Sequence, residues 1–167
     1  MRYYAGVGSR QTPEGVTELM TRIATRLESF GYTLRSGGTH GADEAFAQGC
    51  TSKEVYVPWD GYNGLPLLYP IPEAAYVIAK QWHPAWNHLS GAVKKLMARN
   101  VQQILGPKLD DPSDFVICWT PDSCISHAKR GPRTGGTGQA ISIACAHQIP
   151  VYNLARNDHR YQFQRCV

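Results

Sequence analysis

Three short segments of this 167-residue chain concentrate groups that can hold an anion. They are Gly8-Ser9-Arg10, Ser36-Gly37-Gly38-Thr39-His40-Gly41-Ala42-Asp43 and Arg133-Thr134-Gly135-Gly136-Thr137-Gly138. Glycine lets an anion approach backbone N–H groups closely, and a helix starting there adds the positive end of its dipole. Ser9, Ser36 and Thr137 can each donate a hydroxyl hydrogen bond to phosphate, or can cap a helix. Arg10 and Arg133 can clamp phosphate with a planar fork, or serve in surface ion pairs. Arg99 can hold phosphate or sugar, or pin its own helix. Arg35 ends a strand, either buried or facing the cleft.

Asp43 and Glu44 are the only acids beside a glycine-rich loop. A carboxylate near a ribosyl bond can stabilise developing oxocarbenium charge or activate water. Binding a ribose hydroxyl or capping the next helix is the favoured reading of Asp43; Glu44 suits the first turn of that helix. If there is turnover, Asp43 or Glu44 is the acid partner. His40 lies inside the second loop. The other five histidines show no metal-ligand spacing, and no metal or tightly bound cofactor is expected. Trp59, Tyr62, Tyr69, Trp82 and Trp86 offer faces for stacking on a base, for core packing or for a subunit contact. The five cysteines fit no zinc pattern; Cys118 and Cys145 fall in apolar stretches and read as small buried hydrophobes.

The elements that must position these loops can be read from periodicity. Residues 2–7 read as a strand, and Thr12-Pro13 as a helix start with a hydroxyl cap and proline in the first position. Val16, Leu19, Met20, Ile23, Ala24, Leu27 and Phe30 make one apolar stripe, which Gly31 terminates. Residues 32–35 and 54–59 read as strands with a small-residue helix between them. Residues 73–105 read as largely helical with a break near His83-Pro84, and 115–119 as a buried strand. A helix opens at 135–138, a strand covers 149–154, and the polar residues 155–167 suggest an edge strand.

This alternation implies an α/β, Rossmann-like, doubly wound and mostly parallel sheet with helices on both faces, in a single domain over 1–167. Each of the three loops follows a strand and precedes a helix, so all three gather at the carboxyl ends of the strands, where ligands bind in such sheets. Neither GxGxxG nor GxxxxGK[ST] is present; the signal lies in the three loops together. The composition is 43% hydrophobic and 18% charged, with a formal net charge of +4. That balance suits a globular protein with an anionic ligand and does not require a nucleic-acid interface. No apolar run approaches the ~20 residues of a membrane span. The first residues lack a signal-peptide pattern, so a cytoplasmic location is expected.

In this order the three loops, with Arg99-Asn100 and Ile149-Pro150-Val151-Tyr152-Asn153-Leu154, resemble the SLOG superfamily over roughly residues 3–154. That superfamily includes the Rossmann domain of DNA-processing protein A, the Lonely Guy phosphoribohydrolases and the YspA-like proteins. The layout is similar to small stand-alone members often carried by bacteriophages, which would put the protein in the host cytoplasm. The resemblance implies a nucleotide-type ligand, and its members often form homo-oligomers, for which region 59–97 is suited. It implies nucleotide contacts from Gly8, Ser9, Arg10, Ser36, Gly37, Gly38, Thr39, Asp43, Arg99, Asn100, Arg133, Gly135, Gly136, Thr137 and Gly138. Arg99 sits where Lonely Guy enzymes carry a helical arginine, which makes it a catalytic candidate beside Asp43 and Glu44. The last loop departs from their PGGxGTxxE signature: no proline precedes the glycines and no glutamate follows them. Three functions are therefore carried forward: binding a phosphorylated nucleotide or its derivative to sense, sequester or process it; nucleotide N-glycosidase activity; and recombination mediation on single-stranded DNA, for which nucleic acid is the less favoured partner.

Overall fold

A computed structural model describes residues 1–167. Five strands form one all-parallel sheet in the order β3-β2-β1-β4-β5. They are β1 (Arg2–Gly6), β2 (Tyr32–Ser36), β3 (Lys53–Val55), β4 (Phe115–Cys118) and β5 (Val151–Asn153). Parallel neighbours need crossovers, which the helices supply. These are α1 (Glu14–Ser29), α2 (Ala42–Gln48), α3 (Glu73–Trp82), α4 (Gly91–Leu105), α5 (Thr137–Ala146) and a terminal α6 (Asn157–Gln164).

The helices divide between the two faces, as the apolar patterns require. On one face Val16, Leu19, Met20, Ile23 and Ala24 of α1 join Ala42, Ala45 and Phe46 of α2 over Tyr4, Leu34 and Ile117. On the other, α3, α4 and α5 bring Ala79, Val101, Ile104, Ile141 and Ile143 onto Ala5, Val116 and Cys118. Each large apolar side chain fully buried in this way contributes about 1.5–3 kcal/mol.

Several expectations shift. The C-terminal segment is a helix rather than an edge strand: Phe163 and His159 of α6 pack edge-on against Tyr152. The His159 Nδ1 also accepts the Asn153 N–H, so the edge of β5 is partly covered by a side chain instead of a strand. Helix α1 starts one residue later than expected. Pro13 occupies the cap position without a side-chain bond, and the Thr12 hydroxyl turns back to donate to the Ser9 carbonyl. The third strand is short; Tyr56 and Val57 follow it as buried chain, with the Tyr56 N–H donating to the Ser36 carbonyl at 2.8 Å. Cys118 is buried, but Cys145 faces outward from α5 and is exposed.

Topology fixes the functional edge. The chain winds outward in one direction from β1 through β2 to β3, then crosses back to β4 and β5. The loops after β1 and β4 therefore leave neighbouring strands in opposite directions, opening a crevice at the carboxyl ends. Val7 and Ser9 donate to the carbonyls of Ile117 and Trp119, so these two loops are zipped together before they part.

Candidate functional site

A cavity of about 620 Å³ opens at this crevice. The β1–α1 loop supplies Gly8, Ser9 and Arg10; the β2–α2 turn supplies Thr39 and the first turn of α2 Asp43; α4 supplies Arg99, Asn100 and Gln103; and the loop into α5 with its first residue supplies Arg133, Gly135, Gly136 and Thr137. The first and second loops are tightly apposed. Gly41 has φ of +92°, and a Cβ there would lie 2.8 Å from the Ser9 carbonyl oxygen. Only glycine meets both conditions.

The outer wall is a donor surface. The backbone N–H groups of Gly8, Arg10, Gly135, Gly136 and Thr137 have no hydrogen-bond partner in the chain. Three of these open helix α5, where unpaired donors and the dipole both favour an anion. Arg10 and Arg133 are exposed beside them and form no ion pair. A network behind the wall holds it in place. Thr134 donates its hydroxyl to Asp122, and Arg130 donates to the Trp82 carbonyl at 2.8 Å and to Gln139 Oε1 at 3.2 Å. The Asn153 amide donates to the Thr120 hydroxyl at 2.7 Å and to the Cys124 carbonyl at 2.8 Å, fixing the start of the loop.

The floor is a buried polar cluster around Gly37. A Cβ on Gly37 would stand 2.7 Å from Arg99 Nη1, 2.7 Å from Asp43 Oδ2 and 2.6 Å from Gln103 Nε2, so the absent side chain is what lets these groups converge. Arg99 donates to the carbonyls of Gly37 and Tyr56 and to Asn100 Oδ1. Asn100 Nδ2 in turn donates to the Gly136 carbonyl at 3.4 Å, tying floor to wall. Asp43 accepts the Thr39 N–H at 3.3 Å. Burial pushes its carboxyl up to about 6, against the opposing pull of Arg99 and of the N–H groups of Thr39 and Gly37.

Tyr62 closes one side. Its hydroxyl lies 3.2 Å from Thr39 Oγ1 and accepts from Arg10 at 3.4 Å, and the Arg99 guanidinium sits over its ring at 5.7 Å. Burial acts to raise the phenol; the Thr39 hydroxyl and the two arginines outweigh it and hold it below its ordinary value. A tight turn positions this ring, with Leu65 donating to the Tyr62 carbonyl and Gly61 to the Leu65 carbonyl.

The crevice thus gathers Gly8, Ser9, Arg10, Thr39, Asp43, Arg99, Asn100, Arg133, Gly135, Gly136 and Thr137, all expected from sequence. It does not gather the rest. Ser36 is buried and donates to the Asp43 carbonyl. Gly37 shapes the floor from beneath, Gly38 packs against Leu65, Val55 and Val57, and Gly138 is buried against Arg130. Glu44 points outward and pairs with the exposed His40 at 3.2 Å, so it is not a carboxylate of the cavity. Arg35 is buried away from it, bonded to Glu54, Asp111 and Ser113. Gln103 was not foreseen. The visible signal was spacing: Arg99, Asn100 and Gln103 place polar side chains on one face of a helix whose neighbours are buried.

No protein-family model and no curated protein matches the chain. Among solved structures it is similar to DNA processing protein A from Helicobacter pylori, described there in its single-stranded DNA binding mode. The TM-score is 0.56 at 17% identity, covering 98% of this chain and 72% of that one. The likeness is one of fold.

Proposed function

We propose that this chain is a SLOG-type protein, one domain over 1–167, that binds a phosphorylated nucleotide or nucleotide-derived small molecule in the crevice. The observation that carries the reading is the run of unpartnered N–H groups at Gly135, Gly136 and Thr137 in the cavity wall beside two arginines without ion pairs. In this reading the phosphate sits on those groups and on the N–H groups of Gly8 and Arg10. Arg10 and Arg133 neutralise it, and Ser9 and Thr137 donate hydroxyls. Arg99 is spent largely on carbonyls, so it sets the positive field of the floor and holds Asn100 in place. Asp43 addresses the ribose.

One observation favours a second reading, cleavage of the N-glycosidic bond: Asp43 is a buried carboxyl with its pKa near 6, suited to proton exchange near neutrality. Glu44 lies outside the cavity, so Asp43 would act without a second carboxylate. The likeness to a single-stranded DNA-binding protein supports a third, in which the same wall holds a backbone phosphate.

The test is incubation of the purified protein with nucleoside monophosphates, cyclic nucleotides and ADP-ribose-type nucleotides, followed by chromatography. Ligand recovered unchanged after denaturation supports binding; released free base supports cleavage. Failure of every nucleotide to bind, with tight and steeply salt-dependent binding of single-stranded DNA, overturns the main reading.

A further inference from the structure

Gln103 lies at the centre of the floor yet makes no hydrogen bond through its side chain. It is 1% exposed and lines the cavity, and neither amide atom has a partner in the chain; its Oε1 is a buried acceptor without a donor. Buried amides are normally satisfied, because leaving one unpaired costs about 1–3 kcal/mol. A position that accepts this cost beside a cavity is a position waiting for a ligand group. Asp43 keeps acceptor capacity too: a carboxylate can accept about four hydrogen bonds, and Asp43 has the Thr39 N–H at 3.3 Å, with the Gly37 N–H and the Thr39 hydroxyl as further donors.

One unused donor, Gln103 Nε2, and one under-used acceptor, Asp43 Oδ2, therefore converge at Gly37. The complementary ligand feature is a pair of adjacent hydroxyls, one donating to Asp43 and one accepting from the Gln103 amide N–H. A vicinal diol has that character. Its distance from the phosphate wall fits as well. One side chain, Asn100, reaches from the floor at Arg99 Nε (3.1 Å) to the phosphate loop at the Gly136 carbonyl (3.4 Å). The reach of one short amide side chain separates a phosphate from the sugar it esterifies, not from the far edge of a base.

Resting on the nucleotide reading above, we infer that Gln103 and Asp43 form a ribose-diol subsite and that Gln103 makes the crevice select ribonucleotides over 2′-deoxyribonucleotides. The hydroxyl that satisfies Gln103 is present in the first class and missing in the second. Discrimination of this kind is strong because the deoxy ligand leaves the buried amide unpaired.

The experiment is calorimetric titration of the purified chain with AMP and dAMP, with GMP and dGMP, and with inorganic phosphate. The ribonucleotides are expected to bind about tenfold or more tighter than their deoxy partners, one hydrogen bond to a buried group being enough for that ratio. Gln103→Leu should lower ribonucleotide affinity to the deoxy level and leave deoxyribonucleotide and phosphate affinity unchanged. Gln103→Met provides the same readout if the leucine variant folds poorly, with folding checked by circular dichroism. Equal binding of ribo and deoxy ligands by the parent chain overturns the subsite while leaving the phosphate wall standing. So does a ribose preference that survives both substitutions. Strong preference for one base irrespective of the 2′-hydroxyl also overturns it, because the floor would then be reading a base edge. Failure of all nucleotides and of phosphate to bind overturns the nucleotide reading itself.

Discussion

Two buried arginines of this fold are used in opposite ways. Arg35 on β2 is completely enclosed: it donates to Glu54 at 2.9 Å, to the Asp111 carboxylate at 3.1 Å and to Ser113 at 3.2 Å, and its guanidinium lies 3.8 Å over the Tyr3 ring. Its donors are matched by acceptors of the chain. Arg99 on α4 is also buried, but it has no carboxylate within ion-pair distance and donates to two carbonyls and an amide instead. Its counter-charge, Asp43, faces it across Gly37 with acceptor capacity to spare. The first cluster is closed and cements β2 to β3 and to the turn after α4. The second is incomplete and opens on a cavity. A saturated buried charge is architecture; an unsaturated one beside empty space is a candidate site.

The comparison can be broken most forcefully at the closed end. Arg35→Met should destabilise the fold by about 3 kcal/mol, since it strands Glu54 in a largely buried position, and urea unfolding would measure it. A negligible change would mean that the cluster is not structural. At the open end the pattern should invert. Arg10→Ala and Arg133→Ala should each weaken nucleoside monophosphate binding about tenfold or more in calorimetry, with unfolding free energy changed by no more than about 0.5 kcal/mol.

Asp43→Asn sharpens the contrast through pH. The folded carboxyl titrates near 6 and the unfolded one near its ordinary value of 3.8. Between these values the folded state holds the proton more tightly, so stability is highest below about pH 4 and falls as pH rises to about 6. Stability measured across that window should flatten in the asparagine variant. The smallest effect belongs to Gln103→Leu, which removes an unsatisfied amide and should leave stability unchanged or raised by up to about 1 kcal/mol in the same unfolding assay. A large loss there would mean that Gln103 is part of the framework after all.

Much of the fold was legible because its signals are local. The α1 stripe, the β4 run Phe115-Val116-Ile117-Cys118 and the strand–loop–helix order each follow from spacing, and together they require a parallel sheet. The C-terminal helix was misread because the polar residues 155–167 carry little apolar periodicity, while the packing that decides the matter is Phe163 on Tyr152. Cys145 was misread for a related reason: α5 is apolar on most sides, so hydrophobicity alone could not say which residue faced water. In the crevice, glycine-rich loops announced the wall of unpaired backbone N–H groups. The floor was harder to read, because Tyr62 arrives from an irregular segment and Gln103 owes its character to Gly37 and Asp43, both more than fifty residues away. Glu44 stood beside Asp43 as an alternative acid partner in sequence, but adjacent positions on a helix point in different directions and only Asp43 faces inward.

The central claim is that the backbone at the start of α5 is the phosphate cradle, and amide chemical shifts test it most directly. Titrating the ¹⁵N-labelled chain with AMP should move the Gly135, Gly136 and Thr137 resonances saturably, together with those of Gly8 and Arg10. Saturable binding that leaves all five resonances unmoved, with shifts elsewhere on the surface, would contradict it.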